Sequence, residues 1–255
     1  YFWVRKVWSK LSWLPNGTRQ LFAKAIFSLP VHYWDTVYSM ISCILPSSSD
    51  LSFVGQKLHN LAESLVNIRN EDELFFSLVS EWSNPDKVVK GAHEPVTLLT
   101  KTNNWPALPD IEHRMMYLDA MTYLPNDILV KVDRAAMSTS LETRTPFLDH
   151  RVVELAWQLP LNMKLRNNQG KWALRQILYK YVPRELIERP KQGFGVPLGE
   201  WLRGPLKEWA EQLISEERLR REGYFNPDPI RSKWLEHLSG LRNWEHSLWA
   251  VLMFQ

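Results

Sequence analysis

A lysine in an unusual loop is the first residue of this sequence that could do chemistry. Lys191 lies in the stretch IERPKQGFGVPLGEWLR, residues 187–203. Two prolines and two glycines surround it, namely Pro190, Pro197, Gly193 and Gly195. Proline fixes φ, whereas glycine permits conformations and close approaches that a side chain would forbid. Such a loop could hold a cation against a phosphate, although a purely structural loop can have the same composition.

The basic residues of the chain are concentrated just before and at this loop. Between residues 164 and 191 there are eight basic and two acidic residues, a net charge of +6. The whole chain carries +3, so the remainder sums to −3. The basic residues are Lys164, Arg166, Lys171, Arg175, Lys180, Arg184, Arg189 and Lys191. A local site for a polyanion explains this concentration, and a solvated basic surface is the alternative.

One helix within this basic segment carries two of the cations. The stretch GKWALRQILYKYVP predicts a helix that begins near Gly170 and ends at Pro183. Lys171 and Arg175 stand one turn apart on it, where like charges repel and slightly destabilise an isolated helix. A polyanion at the start of the helix, aided by its free backbone N–H groups, would turn that repulsion into binding.

A second group of candidate residues is acidic. The stretch LPNDILVKVDRAAM predicts a helix that begins at Asn126, a good N-cap residue, and ends near Ser140. Asp133 shares its apolar side, where a carboxylate is rarely tolerated without a partner or a purpose. Arg134 or Arg144 could be a structural partner of Asp133, so both interpretations stay open.

Helical periodicity predominates along the chain, and only residues 95–100 (PVTLLT) have the pattern of a strand. A helix capped by Asp149 follows the turn at Pro146. We expect the apolar sides of this helix and of the GKWALRQIL helix to be buried. Those sides consist of Leu148, Val152, Leu155 and Ala156 in the first helix and of Leu174, Ile177, Leu178, Tyr181 and Val182 in the second.

The composition excludes several classes of protein. The chain has 255 residues, 45% of them hydrophobic, and a single cysteine, Cys43, which excludes an internal disulfide. We expect a reducing, cytoplasmic location. No apolar run approaches the roughly 18 residues that a membrane span needs. The seven histidines are scattered without ligand spacing, which argues against a metal-dependent hydrolase. Core or interface packing is the expected role of the 13 tryptophans.

Three ordered blocks in this sequence resemble a known family. SLETRTPFLDHRVVELA, GKWALRQIL and LIERPKQGFGVP are similar to blocks in the C-terminal synthetase domain of glutamine-dependent asparagine synthetases and in the related β-lactam synthetases. The resemblance is strong over residues 110–205. It implies a mainly α fold, the multi-helix C-terminal portion of an adenine-nucleotide α-hydrolase-like domain that lacks its nucleotide-binding sheet. Residues 1–255 would form this one truncated part.

The activity that the resemblance implies is that of an ATP-dependent amide ligase. In that family the side-chain carboxylate of aspartate attacks the α-phosphorus of ATP, giving an acyl-adenylate and pyrophosphate. Ammonia released from glutamine then displaces AMP and forms asparagine. The expected cofactors are therefore ATP and Mg²⁺, and the expected partners are aspartate and glutamine-derived ammonia.

The resemblance also implies roles for individual residues. Lys191 matches a lysine that contacts phosphate and stabilises charge during adenylation and amide formation. Lys171 matches a pyrophosphate contact, and Arg175, one turn further along, is expected to share in nucleotide binding. Asp127 lies within about one residue of the position of a family acidic residue that serves in acid/base chemistry or polarisation. Glu142 belongs to a largely architectural block, E-x-R-x-P-F-L-D, and is its member expected to reach the active site.

Some family segments do not occur in this sequence. The Ser-Gly-Gly-x-Asp-Ser pyrophosphate loop, the Gly-x-x-Asp-Glu-Leu-Phe-Gly-Gly-Tyr segment and the glutaminase domain are absent. The first residues, YFWVRKVW, resemble the family residues that come directly after the second of these segments. We therefore expect a piece of a longer synthetase, with the main Mg²⁺ ligands and the ammonia source in the missing part. Alone, it should bind ATP weakly and not turn over.

The resemblance leaves two alternatives open. An asparagine synthetase-like protein could amidate another carboxylate, such as a sugar acid or a secondary metabolite, because the acceptor pocket draws on the missing half. A non-catalytic helical module could instead use the basic segment to recruit nucleic acid or an acidic partner. Against nucleic acid, the cations lie in a patterned loop and helix and not in an aromatic-interleaved stripe, so we expect no nucleic-acid partner. We expect no membrane partner either, since no apolar run is long enough to span a membrane. Whether the chain forms a homodimer is left open.

Overall fold

The structure is a computed structural model of the 255-residue chain. The residues that it describes are 4, 8, 9, 13, 15–42, 55, 58, 59, 62, 68–108, 110–167, 169–189 and 195–255. Lys191, the lysine of the proline- and glycine-rich loop, lies outside the described residues.

The fold is mainly helical, as predicted. Among the described residues the α-helices in chain order are α1 (Asn16–Phe27), α2 (Val31–Ser42), α3 (Glu71–Val79), α4 (Ile111–Met121), α5 (Leu129–Met137), α6 (His150–Gln158), α7 (Leu161–Lys164), α8 (Trp172–Leu178), α9 (Arg184–Ile187), α10 (Leu198–Arg203), α11 (Lys207–Leu213), α12 (Glu216–Glu222), α13 (Pro227–Leu238) and α14 (Glu245–Phe254). A π-helical turn, Leu124–Ile128, precedes α5. Strands β1 (Leu165–Arg166) and β2 (Gln169–Gly170) pair antiparallel, with Leu165 opposite Gly170.

The strand predicted at residues 95–100 is wrong. Residues 97–100 form a turn in which the backbone N–H of Thr97 donates to the Thr100 hydroxyl at 2.8 Å. The backbone N–H of Lys101 then donates to the carbonyl of Thr97 at 3.0 Å. Threonine side chains can satisfy the backbone locally in this way, which competes with strand pairing.

The chain divides into two compact units. The first, here called the middle unit, spans Thr97–Phe194. The second, the split unit, combines Trp3–Val96 with Gly195–Gln255. The boundary at residue 96 falls inside the proline-rich connection at residues 84–110.

The split unit has a large apolar core. Trp234 is fully buried in it, and its indole N–H donates to the carboxylate of Glu211. Glu211 also pairs with Arg231 at 2.7 Å. The core around Trp234 is formed by α10 to α14 and by a residue that follows α3, and it includes Val88, Leu198, Leu202, Ala210, Ile214, Leu219, Phe225, Ile230, Leu248, Val251 and Leu252. The packing role expected for tryptophan is confirmed at this position.

Long-range hydrogen bonds close the split unit. The indole N–H of Trp82 donates to the carbonyl of Ser247 at 3.0 Å, and the Ser247 hydroxyl donates to the carbonyl of Glu81 at 2.7 Å. The Lys233 ammonium lies 4.2 Å from the ring centroid of Trp82 and 3.5 Å from that of Trp244. Residues 81–82 and α14 are therefore held together by polar as well as apolar contacts.

The middle unit buries less of its apolar surface than the sequence predicts. Helix α4 is well buried, with Met115 and Leu118 almost inaccessible. In contrast, the apolar sides predicted to be buried are open, with Leu155 59% and Ile177 55% exposed. The same holds for Leu148, Val152, Ala156, Leu174, Leu178 and Tyr181. The apolar sides of α6 and α8 both line one shared cavity.

Two details of α5, the helix predicted to begin at Asn126 and to carry Asp133, also differ from the prediction. Asn126 is not its N-cap, because the π-helical turn begins before it, at Leu124, and leads directly into α5. Asp133 is exposed and so is not a carboxylate held in an apolar interior. The partly buried residues of α5 are Leu129, Val130 and Ala136, and the others are exposed. Periodicity alone therefore overestimated the burial of this helix.

Candidate functional site

Lys171 is presented by the β1–β2 hairpin at the start of α8. The hairpin ends at Gly170, and Lys171 follows with φ 58° and ψ 35°, in the left-handed region. Its side chain is exposed. A non-glycine residue in this conformation costs about 1–2 kcal/mol, and such residues cluster at functional sites. The helix begins two residues later than predicted, so Lys171 caps it rather than lying within it.

Glu188, a carboxylate that was not among the predicted site residues, organises this hairpin. Glu188 directly follows α9. Its Oε1 accepts hydrogen bonds from Gln169 Nε2 at 2.8 Å, from Arg175 Nη1 at 3.2 Å and from the Tyr179 hydroxyl. The Tyr179 hydrogen bond, together with Arg175 and Gln169, holds the pKa of Glu188 below its ordinary value. Glu188 thereby ties the Lys171 hairpin and α8 to the segment that leads to residue 191.

Arg175 belongs to the same network. Its Nε donates to the carbonyl of Gly170 at 3.1 Å, and its Nη1 pairs with Glu188. This guanidinium braces the residue before Lys171, which gives it a positioning role beside the predicted contact with nucleotide. Sequence reasoning missed Glu188 because its partner Arg175 lies 13 residues away. The only sign of Glu188 in the sequence was its position as one of two acidic residues within the basic segment.

Asp127 lies in the π-helical turn and pairs with Lys131 at 2.6 Å. The hydrogen bond from Lys131 to Asp127 raises the pKa of this lysine. Single π-helical turns are frequent at functional sites, which is consistent with the predicted role of Asp127. The carboxylate is partly exposed, so it can contact solvent or a ligand as well as Lys131.

Glu142 and the block around it are exposed. Glu142 pairs with Arg144 at 2.6 Å, and both side chains are largely accessible. The predicted N-cap is confirmed, since Asp149 accepts the backbone N–H of Arg151 at 2.9 Å at the start of α6. The Arg151 hydrogen bonds also lower the pKa of Asp149.

The predicted site residues fall into separate local groups. Within the described ranges, no hydrogen bond or ion pair joins Asp127, Glu142 and Lys171 to one another. Lys171 and Arg175 are brought together by the hairpin and Glu188. No group of three or more His, Cys, Asp or Glu side chains that could hold a metal ion occurs among the residues the structure describes. Nor is any helix among them long and apolar enough to cross a membrane.

Comparison with known proteins identifies the family. The family described as asparagine synthase matches residues 1–255. This chain therefore belongs to the asparagine synthase family. No solved structure matches it.

Several curated proteins are similar to part of the chain. Asparagine synthetase [glutamine-hydrolyzing] 1 of Bacillus subtilis (strain 168) is 33% identical over 142 residues, 56% of this chain and 22% of that protein. Asparagine synthetase [glutamine-hydrolyzing] of Gallus gallus is 29% identical over 135 residues, 43% of this chain and 24% of that protein. Amidase chyE of Penicillium rubens is 29% identical over 130 residues, 48% of this chain and 19% of that protein. The chain thus spans about a fifth to a quarter of the length of these relatives.

Proposed function

We propose that these 255 residues are part of an ATP-dependent amide ligase, one that activates a carboxylate as an acyl-adenylate and transfers ammonia to it. The observation that carries this proposal is the match of the asparagine synthase family to residues 1–255. The names of the relatives in Bacillus subtilis and Gallus gallus, both glutamine-hydrolyzing asparagine synthetases, support it. Aspartate is the acceptor that those names suggest, and glutamine is the ammonia source.

Fixed cations have a clear task in this chemistry. A carboxylate oxygen attacks the α-phosphorus, the bond to the β-phosphate oxygen breaks, and negative charge grows on the departing pyrophosphate. Ammonia then attacks the acyl carbon, AMP leaves, and the amide forms. We assign Lys171 and Lys191 to the phosphates, because a lysine is a compact charge suited to a group that must leave. The loss of one such contact typically costs about 2.7–4 kcal/mol of transition-state stabilisation.

The described residues fit a phosphate better than they fit a metal ion. Lys171 is exposed and held in a fixed backbone conformation by the hairpin. Arg175 and Glu188 brace that hairpin, and we give both a positioning role. Mg²⁺ would neutralise pyrophosphate charge, and we place its ligands outside the described residues. We assign Asp127 and Glu142 to the acceptor side of the site, as proton-transfer or polarising groups.

The acceptor is the least constrained part of the proposal. Another carboxylic acid could take the place of aspartate, and the similarity to the protein named amidase chyE is the observation that keeps this second candidate open. Both candidates share the adenylation step and differ only in the acid that becomes the amide. The same pyrophosphate-release assay can therefore distinguish the two candidates when only the carboxylic acid is varied.

The experiment measures pyrophosphate release from ATP by the full-length protein that contains these residues, with a panel of carboxylic acids and ammonia. We expect release with aspartate or with one other acid, and a fall of about 100-fold or more in Lys171→Met. Lys180→Met is the matched control, because Lys180 is exposed and lies outside the hairpin network.

The outcomes of this experiment discriminate clearly. Equal activity of Lys171→Met and Lys180→Met would remove Lys171 from the site. No acid-dependent pyrophosphate release with any acid would reject the ligase itself. The 255-residue chain alone should show no turnover. Asparagine formation by this chain would contradict the proposal that the Mg²⁺ ligands and the ammonia source lie outside it.

A further inference from the structure

The middle unit contains a cavity with Lys171 at one edge, and the proposed chemistry uses that lysine but none of the apolar lining. Its volume is about 560 Å³, within the range of about 300–1,000 Å³ that is usual for small-molecule sites. Its walls come from the apolar sides of α6 and α8, from residues just before each of these helices, and from residues of α4, α7 and β1. The lining includes Phe147, Leu155, Trp157, Met163, Leu174 and Ile177. Such walls favour a ligand with an apolar body.

Of the two amines that line this cavity, Lys164 has the poorly compensated charge considered next. Lys164, at the end of α7, lines the cavity, and its Nζ lies 3.1 Å from Nε2 of His113 and 5.2 Å from the ring centroid of Trp157. Burial lowers the pKa of Lys164. Within the described part of the chain, no carboxylate pairs with this amine directly.

The partner of Lys164 is itself fixed by a carboxylate. Nδ1 of His113 lies 2.9 Å from Asp110 Oδ2, and the His113 side chain is 11% exposed. A neutral ring that donates from Nδ1 to Asp110 presents the lone pair of Nε2 to the lysine. His113 therefore accepts one ammonium hydrogen and orients Lys164. The ammonium carries three hydrogens, so others remain for a ligand.

We propose that this cavity binds a small monocarboxylate with an apolar body, whose carboxylate accepts a hydrogen bond from Lys164. Two ammonium groups line otherwise apolar walls, and of these Lys164 is the one that a buried neighbour, His113, holds in place, whereas Lys171 is exposed. A charge-assisted hydrogen bond from a fixed ammonium is stronger than one between neutral groups. His113 and Asp110 act as positioning residues, since they hold the amine without touching the ligand. The inference does not depend on the ligase proposal, because it requires neither ATP nor turnover.

The test compares two probes of one shape by calorimetry on the 255-residue chain. 2-Naphthylacetate carries the carboxylate, and 2-naphthylacetamide is its neutral counterpart. We expect the acid to bind at least about 10-fold more tightly, the lower end of the range for a hydrogen bond to a charged group. The comparison on the unaltered chain needs no variant, so it does not rest on the folding of a mutant.

Variants then assign the preference to a residue. In Lys164→Met the acid should lose its advantage while the amide binds as before, and Lys164→Arg should keep the advantage. Lys180→Met removes the same charge from an exposed position and should leave both affinities unchanged. Leu174→Trp should weaken both probes, because it fills the cavity.

Several results would overturn the inference. Equal affinity of the acid and the amide for the unaltered chain would show apolar partitioning only. No binding of either probe would show that the cavity is not a ligand site. A loss of the acid preference in Lys180→Met equal to that in Lys164→Met would show a general charge effect. Unchanged binding in Leu174→Trp would place the probes elsewhere.

Discussion

Acidification should destabilise the split unit through one buried histidine. His237 on α13 is fully inaccessible, with Nε2 3.2 Å from the carbonyl of Gly199 and Nδ1 accepting the backbone N–H of Trp244 at 3.2 Å. These contacts define a neutral ring that donates from Nε2 and accepts at Nδ1. Nδ1 also lies 3.4 Å from Arg203 Nη2, so protonation of Nδ1 would remove the bonds from both Trp244 and Arg203 and bury a charge.

The direction of the effect follows from the shifted pKa. Burial lowers the pKa of His237, and the Arg203 guanidinium lowers it further, while the Gly199 carbonyl and Glu245 act in the opposite direction. An unfolded histidine titrates near pH 6.5. As the pH falls below that value, the unfolded chain takes up the proton first. The contribution of His237 is therefore fully present above about pH 6.5 and is lost between that pH and the lower pKa of the folded protein.

The size of the effect is set by one proton. The free energy of unfolding should fall by at most about 1.4 kcal/mol per pH unit within this window on account of His237. The assay is urea denaturation followed by tryptophan fluorescence, repeated from about pH 7.5 to about pH 5.5. His237→Gln is the reference, because its amide can still donate to Gly199 but does not titrate.

The difference between the two proteins isolates His237, since other titrating groups contribute to both. We expect His237→Gln to be the less stable protein at the higher pH, because the Trp244 contact is weakened. Its stability should then fall less steeply with acid. Two parallel curves over the whole range would refute the reasoning, whatever the absolute stabilities.

Two further predictions concern the core and the hairpin network. Leu202→Ala should lower the free energy of unfolding by about 2–5 kcal/mol, because Leu202 is fully buried in the split-unit core. Leu21→Ala, at an exposed position, is its control in the same denaturation assay and should change stability little. Glu188→Gln should reduce pyrophosphate release by the full-length protein several-fold, since it weakens the brace on the Lys171 hairpin. Glu185→Gln, a nearby loss of one negative charge, should not, and equal effects of both would contradict the positioning role.

Features that depend on neighbouring residues could be predicted from the sequence. The helical character of the chain follows from apolar periodicity, and the cap at Asp149 follows from its position before an amphipathic run. The basic segment with Lys171 was also found from the sequence, because charge and spacing are visible there. In each case the physical cause lies within a few residues of the feature.

Features that depend on distant residues could not be predicted. Periodicity identifies the apolar side of α8 but not what covers it, and Ile177 lines a cavity instead of a closed core. The three hydrogen bonds on Glu188 and the contact between His113 and Lys164 join residues 9 to 51 positions apart. The β1–β2 hairpin is too short for strand alternation to reveal.

The contact between Trp82 and Ser247 has a consequence for biosynthesis. These residues are 165 positions apart in the sequence, and the whole middle unit lies between them. A ribosome therefore synthesises the middle unit before α14, the helix that carries Ser247. Until α14 has been synthesised, the apolar surface of the first part of the split unit stays exposed. Exposed apolar surface promotes aggregation, so we expect a chaperone to bind this nascent chain.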